Sequence, residues 1–446
     1  MSAPLEKLLR DARIDLVLAR VEKDPTIIEE IIGHLGSDIR SIKFNAIYAL
    51  GELGERSSSA LSDLVECLED EDWSVCRETV RTLGKVGKSE ENAINEVAKF
   101  IENEEESIRK EVAIALGKMG SGTKHAISSL IIGLRDNSEA VRKESAEALG
   151  KIGSDAHEAI SDLVNRVRDQ NWSVRAAAVK ALSLIGKGTQ KAIPSLLKAL
   201  GDKDWRVRKA IINTLSQIGF DAVPSLLAYI KHHDPKIRKG VIETLGELKL
   251  SNPEILEVLS NAIYDNKIGI PGKAADSLRN IGKPALPILY QILKSKDKKI
   301  RSLAIWAIGG MGTDAIEAIP ILIESLKDPK PIVRTEVARA LGKLGKTGIK
   351  AIPNLIELLK DKNSKVRREA AITLGKMKSD AYSAIPALIE ALNDKKIDVR
   401  WRTVEALAAI APKDPQIRSV LESLLKDKSE LVVTVALLAL DRISAM

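Results

Sequence analysis

Apolar side chains recur along this chain on two interlocked rhythms. The shorter one is helical: after Val333, apolar or small residues stand at Val337, Ala338, Ala340, Leu341 and Leu344, offsets that at about 100° per residue fill one broad arc. That arc requires burial. The longer rhythm repeats a whole phrase, an aliphatic residue usually followed by Arg and then by a variant of A/T-L-G-K-I/V-G. Its anchors are Ile42, Val75, Ile108, Val141, Val174, Val207, Ile237, Ile270, Ile300, Val333, Val366, Val399 and Val432, spaced by 33 residues at ten steps and by 30 at two. A fixed period of this length is the mark of stacked structural repeats. Ahead of each anchor helix, B, lies a second helical half-unit of the form I-P-x-L-I-x-x-L, as at Ile352-Pro353 and Ile385-Pro386. Its proline suits a first helical turn, where the missing N–H has no partner to lose. The pattern predicts antiparallel helix pairs, A then B, and no strands, because no alternating period-2 segment occurs. Gly84, Gly87, Gly117 and Gly120, near the ends of B helices, are expected to supply left-handed caps.

A polar rhythm accompanies the apolar one. Directly after the anchor stands Arg109, Arg142, Arg175, Arg208, Arg238, Arg301, Arg334, Arg367 or Arg400, although that position points into the apolar arc. Six residues before it an aspartate recurs, among others Asp136, Asp169, Asp202, Asp328, Asp361 and Asp394. A semi-buried guanidinium needs its charge and donors satisfied, so an Asp–Arg ladder is expected along the stack, the carboxylates serving their own unit and the next. The ladder lapses at Lys43, Cys76, Pro271 and Val433. Pro271 should mark the start of a shorter eighth B helix. Both 30-residue steps lose three residues in an inter-unit loop, at 219–224 and 282–287, which places an expected change of curvature near 230–300.

These residues and their register resemble the HEAT-repeat superfamily, specifically the short HEAT-like repeats first associated with phycobilisome lyases. The resemblance covers residues 25–446, behind an N-terminal capping helix or half repeat at 1–24. It implies an all-α fold, an α-solenoid with a right-handed superhelix of about 13 HEAT-like hairpins, in which B helices line the concave side. It also implies a scaffold more than a chemistry.

The polar arc of each B helix, at two, three, six and ten residues past the anchor, would then face the groove. Most of the chain's formal net charge of +7 resides there. Arg77, Arg81, Lys110 and Lys143 form one basic cluster, and Arg339 and Arg368 belong to another. Phe44, Tyr48, Trp306 and Trp401 lie on the same arc in a chain that is only 3% aromatic, which makes them candidate hot-spot anchors. Trp73, Trp172 and Trp205, two residues before their anchors, are instead expected to cover the ladder. The last unit carries Val435 and Leu438 on the arc that is polar elsewhere, so the C-terminal end is expected to self-associate, dock a partner or be buried locally.

Chemistry-bearing motifs fail one by one. Gly345-Lys346-Thr347 lacks the first glycine of a phosphate loop and follows a helix, so it reads as an inter-unit turn. Five histidines include one His-Glu pair, His157-Glu158, too few for the di-iron site of HEAT-like deoxyhypusine hydroxylases. His232 and His233 lack a third ligand at useful spacing. Two cysteines, Cys67 and Cys76, build neither a disulfide framework nor a zinc site. No stretch reaches the roughly 18 apolar residues of a membrane helix. The reading is a cytoplasmic protein with no catalytic residues, no metal and no cofactor. Its expected function is to bind a partner protein, or an extended segment of one, in the groove. Nucleic acid bound by the same cations is the alternative, and a bilin lyase or lyase-like chaperone, implied by the repeat family alone, is a third.

Overall fold

The computed structural model describes residues 3–120, 124–186 and 188–444, apart from the side chain of Lys346. Among them there are helices, short 3-10 turns and no strand. The chain divides into two compact units, Met1–Tyr229 and Ile230–Met446.

In the first unit the helices Leu5–Arg10 and Ile14–Lys23 pack against the first B helix, Arg40–Leu53. Five further B helices follow in register: Trp73–Val86, Glu106–Met119, Glu139–Ile152, Trp172–Ile185 and Trp205–Ile218. Each stacks on the B helix before it and on the shorter A helix of its own hairpin, such as Ile160–Arg166. The second unit repeats the plan with Pro235–Glu247, Ile270–Ile281, Lys298–Gly310, Pro331–Lys343, Ser364–Lys376, Ile397–Ile410 and Glu430–Ser444. The predicted arc is the core in both: Val174, Ala178 and Leu182 are buried, as are Val333, Val337 and Leu341. Seven B helices begin at a side-chain cap; Asp204, for example, accepts the N–H of Arg206 at 2.8 Å, satisfying an end donor. The short eighth B helix runs over 12 residues with Pro271 in its first turn.

Of the four glycines expected to cap, only Gly120 is left-handed, with φ 72°. Gly84 and Gly117 lie inside their helices, where an added Cβ would come within 2.8 Å of Ala115 and 2.9 Å of Ala148 on the next B helix. They are close-approach positions. Gly150, Gly309 and Gly375 stand likewise against Ala181, Ala340 and Ala406. The chain leaves several B helices through a 3-10 turn such as Gly153–Ala159, entered at a glycine of φ 75°, which the helical periodicity did not announce.

The ladder also has a direction. Arg142 donates from Nε and Nη2 to Asp169 of the following hairpin, at 2.8 and 3.0 Å, while its Nη1 donates to the backbone oxygens of Asp136 and Asn137 in its own turn. Carboxylates therefore serve the preceding arginine; the intra-unit tie is a carbonyl. The same forked contact joins Arg109 to Asp136 and Arg175 to Asp202 in the first unit. In the second it joins Arg238 to Asp265, Arg301 to Asp328, Arg334 to Asp361, Arg367 to Asp394 and Arg400 to Asp427. Arg208 donates to the backbone oxygens of Asp202 and Lys203. Lys43, expected to break the series, makes a single-point rung to Asp70 at 2.8 Å. Where the arginine gives way to buried Cys76, the matching position of the next hairpin is Asn103, which keeps its turn bond from the Glu105 N–H without a charge. Burial alone would raise the Asp169 carboxyl, but the bonds from Arg142 and the Asn171 N–H outweigh it and hold Asp169 below its ordinary value.

Candidate functional site

The polar arc of the B helices is where the sequence concentrates cations and aromatics, and in the structure most of them already have company. Arg81 lies between two glutamates. It donates to Glu78 at 2.9 Å on its own helix and to Glu111 on the next at 3.2 and 3.3 Å. Burial pushes the Glu78 carboxyl up despite the nearby charge of Arg81. Arg339 repeats the arrangement in the second unit, with Glu336 at 2.7 Å and Glu369 at 3.3 and 3.1 Å. Glu78, Glu111 and Glu369 are buried. These acidic partners were visible in the sequence only as interruptions of a basic stripe. The available signal was a glutamate three residues past the anchor both in the arginine's own unit and in the next.

The remaining predicted residues divide into engaged and open. Arg77 stacks over the ring of Trp73 at 5.1 Å, and Lys143 bridges Glu144 and Glu147 at 3.1 and 3.2 Å. Lys85 reaches Glu52 at 2.8 Å and lies 6.0 Å from the Tyr48 ring. Lys110 is exposed. Arg368 stands 3.9 Å from Asp398, too far for a hydrogen bond.

All four candidate anchors, Phe44, Tyr48, Trp306 and Trp401, are half-buried. Trp306 is flanked by Arg279 at 4.9 Å and Lys343 at 6.0 Å, from the helices on either side. Gly310 leaves the room that Arg279 crosses, since a Cβ there would collide with the arginine side chain. Arg402 stacks on Trp401 at 3.7 Å. The indoles expected to cover the ladder are more open than these: Trp73 is 47% exposed and Trp205 67%. Trp172 carries Arg206 on its face at 3.3 Å. Each unit thus carries half-buried aromatic rings on the polar arc of its own B helices, Tyr48 in the first and Trp306 and Trp401 in the second with cationic flanks, and in each an arginine of that arc is internally neutralised. Among the described residues no group of three His, Cys, Asp or Glu side chains could hold a metal ion. No helix among them is long and apolar enough to cross a membrane.

Comparison with known proteins adds the following. A family model described as HEAT repeats matches residues 61–150, 127–203, 160–228, 193–279, 223–296, 286–372, 319–394 and 385–445, and one described as PBS lyase HEAT-like repeat matches 42–70. No curated protein matches. Among solved structures, Kap121p bound to Ste12p aligns with a TM-score of 0.59 at 18% identity, over 95% of this chain and 53% of that one. Kap121p bound to Nup53p aligns with a TM-score of 0.59 at 17% identity, over 95% and 53%. The karyopherin Kap121p bound to the extreme C-terminus of the protein phosphatase Cdc14p gives 0.59 at 18% identity, again over 95% and 53%. The chain spans about half the length of the solved chains it matches, and at these identities the likeness is one of fold.

Proposed function

This chain belongs to the HEAT-repeat family, and from that premise we propose that it is a non-catalytic scaffold that binds a partner protein, or an extended segment of one, in a concave groove lined by its B helices. The observation that carries this reading is the placement of half-buried rings on the polar arc, above all Trp306 between Arg279 and Lys343. Rings of this kind bury large area at little entropic cost and are enriched among residues that dominate binding energy. Support of a coarser sort comes from the fold neighbours, since Kap121p is seen bound to Ste12p and Nup53p.

Nucleic acid is the weaker reading because of what surrounds the cations. A phosphate approaching Arg81 or Arg339 must displace or repel two carboxylates already bonded to each guanidinium, and phosphate neutralisation is the main source of such affinity. The bilin-lyase reading has no support beyond the single short match at 42–70.

The test is quantitative affinity capture from the native cell with the wild-type chain and with Trp306→Ala and Trp401→Ala. A protein partner enriched on wild type should fall about thirtyfold on each variant, the loss of about 2 kcal/mol expected of a hot spot, with the helical circular-dichroism signal unchanged. Binding that survives both changes removes these rings as anchors.

A further inference from the structure

The polar arc loses its polarity at one place in the second unit. Ile372 stands where Arg339 stands one unit earlier, Ala409 where Lys376 stands, and Leu438 and Val435 continue the change into the last B helix. Together with Gly375 and Ala406 these side chains line a cleft of about 480 Å³, within the roughly 300–1,000 Å³ of ordinary ligand sites. Two of the lining residues, Leu438 at 52% and Ala409, are exposed. Cations ring this apolar surface: Lys376, Arg402 and Arg442 line it, against one carboxylate, Glu405. Glu405 is already engaged by Arg402 at 2.8 Å. Lys376 and Arg442 are exposed and have no ion pair among the described residues, unlike Arg81 and Arg339 with their paired glutamates.

We infer that this cleft is a docking site for an acidic peptide segment, a bulky aliphatic or aromatic side chain entering between Ile372 and Leu438 while carboxylates on either side of it meet Lys376 and Arg442. The inference rests on the groove reading above and specifies one position and one partner chemistry within it. Charge complementarity selects the occupant. A basic segment would meet three cations and a carboxylate already held, and the aliphatic lining of the cleft offers no aromatic face on which a nucleic-acid base could stack.

The experiment selects a random peptide library, displayed on phage, on the immobilised full chain. The enriched consensus is then synthesised with a fluorescent label and titrated by anisotropy against wild type, Leu438→Lys, Ala409→Trp, the Lys376→Glu/Arg442→Glu pair and Trp306→Ala. All these positions are exposed or half-buried, and melting curves verify that each variant folds. The expected consensus is one bulky apolar residue with acidic neighbours, bound at least tenfold more weakly by the first three variants. A basic consensus, equal binding to the cleft variants or no enrichment overturns the inference. Peptides that ignore the cleft variants but lose affinity on Trp306→Ala overturn it and leave the groove reading standing, whereas peptides indifferent to all of them count against both. A wild-type dimer that Leu438→Lys converts to monomer assigns the cleft to a second copy of the chain and overturns the peptide occupant.

Discussion

Arg175 shows what one residue contributes to a stacked array. Its side chain is 7% exposed and that of Asp202 10%, and the guanidinium spends Nε and Nη2 on the next hairpin and Nη1 on its own turn. Arg175→Ala should therefore lower stability by about 3 kcal/mol or more, because a mostly buried carboxylate loses its partner. Arg175→Lys should recover part of that, as the single-point Lys43–Asp70 rung indicates. Arg206→Ala, at an exposed arginine paired with Asp204, should change the urea midpoint little. A midpoint unmoved by Arg175→Ala would mean that the rungs do not hold the stack. The carboxylates add a pH dependence of definite sign. Asp169, Asp394 and Asp427 are held below their ordinary values, against the burial that would raise them, by bonds from Arg142, Arg367 and Arg400. Their stabilisation is complete above the unfolded aspartate value of about 3.9 and is lost as pH falls through the depressed folded values. Tm should be flat down to about pH 4 and then drop, and Asp169→Asn should shrink the drop; an equally steep fall in that variant would place the acid sensitivity elsewhere. The ladder was legible as a pattern and illegible in direction. An arginine six residues after one aspartate is also 27 before the next, so a period of 33 makes the two partners indistinguishable until the helices are placed.

At the scale of the helix, glycine decides how closely neighbours approach. The Leu-Gly pair near the end of seven B helices looks like a stop signal when terminal glycines are read by rule. In the structure the helix runs on, to Val86 after Gly84 and to Met119 after Gly117, and the missing Cβ admits an alanine from the next B helix. The same alanine position holds a hydroxyl in other units: Thr82, Thr214, Ser277 and Thr373 donate across to the backbone oxygens of Ile47, Val179, Ile242 and Ala338. Periodicity locates such a residue on the buried arc but is silent on the distance between two helices, which only packing sets. Gly117→Leu would drive a side chain into the Ala148 backbone and should cost about 1–3 kcal/mol or more. Gly36→Ala, with nothing within 4 Å of its Cβ, should leave stability nearly unchanged. Differential scanning calorimetry of the two variants makes the comparison, and equal melting temperatures would refute the close-approach role.

For the molecule as a whole, net charge is a poor guide to what it binds. A formal excess of +7 suggests a polyanion, and the basic clusters look suited to one until their contacts are counted by partner. Arg81 and Arg339 each hold two carboxylates, Lys143 two more, and Arg77 lies over an indole. What the sequence concealed here is physical: charges 30 residues apart, such as Arg81 and Glu111, become neighbours only when one helix stacks on another. Each paired cation has little free potential to offer a phosphate, and the log-log salt slope of nucleic-acid binding scales with the number of phosphates neutralised. Labelled duplex and single-stranded oligonucleotides should accordingly show no measurable anisotropy change at physiological salt and at most weak binding at low salt. Glu78→Gln combined with Glu111→Gln, which frees Arg81, should then raise low-salt affinity relative to wild type. Tight wild-type binding whose logarithm falls steeply with that of salt, and which weakens in Lys110→Ala, would make the arc a nucleic-acid surface and the scaffold reading secondary.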